Sequence, residues 1–143
     1  VTSFVRAIVS PIAVSPSLSV SASPDQLPVL RSLVRTVAAH YALSLDGLSD
    51  LVLAADEAAT ILISHALPSS SLTCTFDGDD NATARVVLSA ATTGQITTST
   101  SSFGWHVLET LADQVDLEEA PPAAPEENWT VTITLTKVVL AGS

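Results

Sequence analysis

One long amphipathic segment limits this chain more than any other feature. Leu48, Leu51, Val52, Ala55, Ala59, Leu62, Ile63 and Ala66 recur three or four residues apart, the spacing that puts side chains on one face of an α-helix. The pattern predicts a helix from the turn at Ser44–Gly47 to about Leu67, where Pro68 stops it. About six turns of helix with such a face are unstable alone in water and must pack on a sheet or on other helices. The 143-residue chain is long enough to supply that partner within one domain.

The flanking segments supply both kinds of element. Residues 17–22 alternate polar and apolar, as a half-buried strand does. Ser23-Pro24-Asp25 reads as a helix start with Ser23 as the cap. Leu27, Leu30, Val34, Val37 and Tyr41 then carry a helix over about 24–42, with Pro28 still in its first turns. Residues 71–76 and 83–89 read as strands joined by a hairpin at Asp77-Gly78-Asp79-Asp80-Asn81. A Thr/Ser-rich loop over 90–102 precedes a helix from Phe103 to Ala112. A short strand near Val115–Leu117, a Pro-rich acidic loop at 118–127 and a strand from Trp129 to Val138 close the order. Helices on one face of an antiparallel sheet would bury all three apolar helix faces, so the expected architecture is a two-layer α/β sandwich.

Charge and cysteine content remove several function classes. Fifteen acids against five bases give a net charge of −10, and the bases (Arg6, Arg31, Arg35, Arg85, Lys137) are scattered. A nucleic-acid surface needs a cluster of Lys and Arg, so no such partner is expected. A 47% hydrophobic content argues against a disordered acidic tail. Cys74 is the only cysteine, which excludes an internal disulfide and a thiolate zinc cluster and fits a reducing cytoplasm. His40, His65 and His106 lack metal-ligand spacing. No apolar run reaches the roughly 20 residues of a membrane span. The stretch Phe4–Val9 is short, carries Arg6 and fits a signal peptide poorly. Residues 1–15 are read as an N-terminal extension, a stray strand or flexible, before a single domain over 16–143.

The run Asp56-Glu57-Ala58-Ala59-Thr60-Ile61-Leu62-Ile63-Ser64-His65-Ala66 resembles the N-box of the GHKL ATPases in their anti-sigma-factor branch. Glu57, Ala58, Thr60, His65 and Ala66 carry the match. The helix before it, the stretch Gly104–Asp113 and the last strand Thr132–Lys137 are similar to that branch in the same order. The likeness covers about residues 17–138 and is strongest to the actinobacterial RsbW-type anti-sigma-F factors. It implies the GHKL (Bergerat, histidine-kinase-like) fold, a mostly antiparallel sheet with three helices on one face. It also implies a cytoplasmic homodimer that holds an alternative sigma factor of the sigma-F or sigma-B type, and an anti-anti-sigma (STAS-type) antagonist that releases it. Kinase members bind ATP with magnesium and phosphorylate a serine of that antagonist.

The ATP-holding residues are only partly kept. In the family the N-box Glu acts on the attacking hydroxyl and an Asn four residues later ligates magnesium. Glu57 is present, but position 61 is Ile, which offers no oxygen to a hard cation. The next glycine box aligns with Ala90-Ala91-Thr92-Thr93-Gly94, where Ala90 replaces the adenine-binding Asp and only Gly94 survives. Ser102-Phe103-Gly104 keeps one glycine of two at a helix start that could still receive an anion. Glu57, Gly94 and Gly104 are therefore read as a vestigial ATP pocket, with no cofactor expected and Glu57 catalytic only if kinase activity persists. The alternative function is an active ATP-dependent serine kinase.

Plainer readings apply to several residues. Asp56 and Glu57 fit a solvated helix face, and His65 fits a helix C-terminus. Trp105 and Trp129 fit core or interface positions, and Cys74 fits a buried inert thiol. The acids Asp113, Asp116, Glu118, Glu119, Glu126 and Glu127 fit a solvated edge or a surface that meets a basic sigma factor. Arg31 lies off the apolar face of its helix. The resemblance implies that it contacts the sigma factor and the antagonist, a role suited to the rigid guanidinium fork.

Overall fold

The computed structural model describes residues 16–78, 82–96 and 100–139. The expected extension at 1–15 and the hairpin tip at 79–81 lie outside them. Five strands form one antiparallel sheet: β1 (Ser17–Ser21), β2 (Ser71–Asp77), β3 (Thr83–Thr92), β4 (Gln114–Ala120) and β5 (Trp129–Val138). Their order across the sheet is β1-β2-β3-β5-β4. Helices α1 (Leu27–Ala38), α2 (Leu45–His65) and α3 (Phe103–Leu111) cover one face. The expected two-layer α/β sandwich is the observed one.

The strand alternation creates the layers. Leu18, Cys74, Leu88, Ile133 and Leu117 stand in one row across the sheet and face the helices. The neighbouring row, Ser19, Thr73, Ser89, Thr132 and Glu118, faces the other way. Hydroxyl side chains on β-branched Thr suit a pleated surface that meets water. The middle helix α2 buries Leu51, Val52, Ala54, Ala55, Ala58, Ala59, Ile61 and Leu62. Its buried surface is wider than one stripe because α1 and α3 pack on its two flanks. Small alanines allow that close approach.

Several boundaries differ from the sequence reading. A 3-10 turn at Pro24–Gln26 precedes α1, and the Ser23 hydroxyl bonds the Asp25 carboxylate rather than capping a helix N–H. The first helix ends at Ala38, because His40 and Tyr41 donate to carbonyls three residues back and tighten the chain into a turn. Strand β3 continues through 90–92, where Ala90 and Thr92 pair with Val131 and Trp129. Strand β4 likewise takes in 118–120, so the Pro-rich acidic segment starts only at 121. Two helix starts are capped by side chains: Ser44 Oγ accepts from Gly47 N–H at 2.9 Å, and Ser102 Oγ accepts from Trp105 N–H at 3.2 Å. Lys137 is only 16% exposed and ties the layers together. Its Nζ donates to the Leu111 carbonyl at 2.9 Å and to Asp50 Oδ2 at 3.3 Å. Among the described residues no helix is long and apolar enough to cross a membrane.

Candidate functional site

The middle helix places two adjacent acids on opposite flanks. Successive residues of an α-helix are about 100° apart, so Asp56 turns toward α1 and Glu57 toward α3. On the α1 flank, Arg31 donates both Nε and Nη2 to Asp56 Oδ1, at 3.2 and 2.9 Å. The side chains are 42% and 29% exposed, so this pair stands at the rim of the helix layer. Arg35 follows one turn later, exposed. Between the helices runs a groove of about 230 Å³ lined by both arginines, Asp56, Leu48, Val52 and Leu53. Leu53 is 56% exposed at its edge. Asp56 is thus not the solvated charge the sequence reading expected: it fixes the direction of the Arg31 guanidinium.

The α3 flank is built differently. Glu57 is half-buried and its Oε1 faces Gly104 at the start of α3. A Cβ on residue 104 would collide with that oxygen and would come within 3.6 Å of Ile61 Cδ1. The structure therefore brings Glu57, Ile61 and Gly104 together. Glu57 carries no hydrogen bond or ion pair among the described residues. Ile61 is 9% exposed and belongs to the apolar core. Gly94 stands apart: a side chain there would meet nothing within 4 Å, so the position does not demand glycine. Thr92 Oγ1 donates to the Gly94 carbonyl at 2.7 Å. Ala90 is buried within β3 between Leu72 and Val131.

These residues do not fit magnesium-bound ATP. Ile61 has only carbon where an oxygen ligand is required. Ala90 has no acceptor for an adenine amino group. The start of α3 has already given Trp105 N–H to Ser102, which leaves fewer backbone donors for phosphate. Among the described residues no group of three or more His, Cys, Asp or Glu side chains converges as a metal site. His106 Nδ1 lies 3.7 Å from Glu109 and His40 Nδ1 lies 3.0 Å from the Thr36 carbonyl, each on its own helix.

Glu119 departs from expectation, and Cys74 meets the expected buried thiol. Glu119 is half-buried rather than part of a solvated edge, and its Oε2 accepts from Ile96 N–H at 2.5 Å. Its signal is the parity of Val115, Leu117 and Glu119, which becomes visible because the strand runs on to Ala120. Cys74 is fully buried, and desolvation pushes its thiol from about 9.0 up to about 12.

No family model matches the chain. It is 39% identical over 98 residues to the anti-sigma-F factor RsbW of Mycobacterium tuberculosis, in both strain CDC 1551 / Oshkosh and strain H37Rv. The match takes in 68% of this chain and 58% of each relative, so the chain spans under two thirds of their length. Among solved structures it is similar to the mycobacterial sensor histidine kinase MprB, with a TM-score of 0.51 and 13% identity. That likeness covers 83% of this chain and 97% of the other and concerns the fold.

Proposed function

The chain is a homologue of the RsbW anti-sigma-F factors on a histidine-kinase-like fold, and from that premise we propose that it is itself an anti-sigma factor. It binds an alternative sigma factor of the sigma-F or sigma-B type by direct contact and keeps it from transcription. An anti-anti-sigma protein of the STAS type competes for the same surface and releases it. The protein works as a cytoplasmic homodimer, so two copies of Arg31 reach the partner. The observation that carries this reading is the 39% identity over 98 residues. The Arg31–Asp56 pair supports the contact role, because a guanidinium held at the rim of a groove loses less rotamer entropy on binding.

Sequestration in this reading does not use ATP. Ile61 and Ala90 remove the two polar groups that would hold magnesium and adenine, and no catalytic step is assigned. A second reading, a serine kinase that acts on the antagonist, is favoured by one observation. The Glu57 carboxylate is retained beside Gly104 with no partner among the described residues. Co-purification from the native host tests the function. A stoichiometric sigma factor supports it, and its absence under every growth condition sampled overturns it. Phosphotransfer to a serine of the antagonist, abolished by Glu57→Gln, would establish the kinase reading instead.

A further inference from the structure

The chain that leaves β3 does not simply loop through solvent. Residues 93–96 are pinned at both ends. At the start, Thr92 is 1% exposed and its Oγ1 donates to the Gly94 carbonyl at 2.7 Å. The backbone there is also held to the end of α2: Leu67 N–H donates to the Ala91 carbonyl at 3.0 Å, and Ala66 bridges to Thr92. At the other end, Ile96 N–H donates to Glu119 Oε2 at 2.5 Å. An ionised acceptor makes that bond charge-assisted and stronger than one between neutral groups.

The strand register shows where this segment lies. Thr92 pairs with Trp129 on one side of β5, and Glu119 pairs with Val131 on the other. Residues 93–96 therefore carry the chain from β3 toward β4, over the end of β5. They do so on the helix side. Leu72, Ala90, Val131 and Glu119 form one row across that face, and Ile96 belongs to the same apolar core as the first three. Ile96 is 1% exposed, whereas Thr93 and Gln95 are exposed. One apolar side chain thus enters the core from an otherwise polar crossing.

Glu119 interrupts a face that Val115 and Leu117 make apolar. A carboxylate turned toward a core costs solvation unless a donor meets it, and a buried N–H likewise needs an acceptor. Glu119 and the Ile96 amide supply each other's need, 23 residues apart.

We propose that residues 93–96 form a self-closing strap, with Ile96 as its plug and Glu119 as its catch, which shuts the end of the helix–sheet interface at Trp129 with no ligand bound. Glu119 acts as a positioning residue. Whatever takes its carboxylate from the Ile96 amide frees the plug and uncovers the β5 end at Trp129. The strap goes beyond the anti-sigma reading and does not depend on it, because it closes with no partner present.

Site-resolved hydrogen exchange on the full chain, in nucleotide-free buffer, tests the strap. The wild-type Ile96 N–H should exchange at least about a hundredfold more slowly than an unstructured amide. Glu119→Ala should speed that exchange at least about tenfold and leave Leu88 and Ile133, in the middle of the sheet, unchanged. Glu119→Gln keeps a side-chain oxygen and should speed it less. Glu118→Ala, on the exposed face of the same strand, should change nothing. Added magnesium-ATP should leave the wild-type rate as it is. An unprotected Ile96 amide in the wild type overturns the strap. Equal exchange in the wild type and Glu119→Ala overturns the catch. So does acceleration at Leu88 and Ile133 as large as at Ile96, since Glu119 would then serve the whole fold. Slower Ile96 exchange with magnesium-ATP would mean that a ligand completes the closure, and would overturn the self-closing device.

Discussion

The two flanks of α2 started from the same helix and reached different chemistry. On the α1 side a charged pair, Arg31 and Asp56, stands at 2.9 Å beside an open groove with an exposed leucine. On the α3 side Glu57 meets a glycine and an isoleucine, and Ile61 belongs to the apolar core. Asp56 and Glu57 are neighbours in sequence, so the difference comes from what packs against each. A helix in the middle of a layer can present an open, charged flank on one side and a closely packed, largely apolar one on the other.

The sharpest way to break this contrast is to place a polar side chain at position 61. Ile61→Asn puts an oxygen at position 61 but buries an amide within the apolar core that holds Ala58 and Leu62. Urea denaturation should show a loss of about 2–4 kcal/mol, and calorimetry should show no gain of magnesium-ATP binding. Tight nucleotide binding by this variant would mean that the α3 flank is one residue from function.

The opposite flank is tested through its arginine. Arg31→Ala should weaken sigma-factor binding by more than about 1 kcal/mol while folding stability changes by less than about 1 kcal/mol, since the ion pair is partly exposed. Asp56→Asn should weaken binding less, because the guanidinium remains and loses only its fixed direction. Equal affinities for all three proteins in titration would remove Arg31 from the interface.

Glycine at 104 gives a smaller effect. Gly104→Ala drives a Cβ against Glu57 Oε1, but that atom ends a flexible side chain and can swing aside. The helix gains about as much from alanine as the displacement costs, so the melting curve should move by less than about 1 kcal/mol in either direction. A larger loss would show that the Glu57 carboxylate is held in place, as a working catalytic group would be.

The smallest effect is on the thiol. Burial raises the Cys74 pKa to about 12, so the folded state disfavours the thiolate. Stability from this source is complete below the unfolded pKa near 9 and falls as pH rises from there toward 12. Labelling at pH 8 should be slow in the folded protein and fast in urea.

Much of the fold was legible because periodicity is a local property. The face of Leu51, Ala55, Ala59 and Leu62 and the alternation of Thr132, Ile133, Thr134 and Leu135 each announce their element without knowledge of the rest. Strand ends were less legible. Ala90 and Ala120 lie in segments rich in Thr, Ser or Pro, and only pairing with β5 keeps them extended. The site was legible in its residues but not in its partnerships. Glu57, Ile61 and Gly104 stand out in the sequence as candidate residues, and the structure brings the three together. That Asp56 holds Arg31 was not visible, because the two lie 25 residues apart and meet only when their helices pack.

Titration of the sigma factor that co-purifies from the host, with and without magnesium-ATP, tests the central claim most directly. The predicted result is one affinity under both conditions, lowered by Arg31→Ala and unchanged by Glu57→Gln. Binding that requires magnesium-ATP and fails in Glu57→Gln would contradict it.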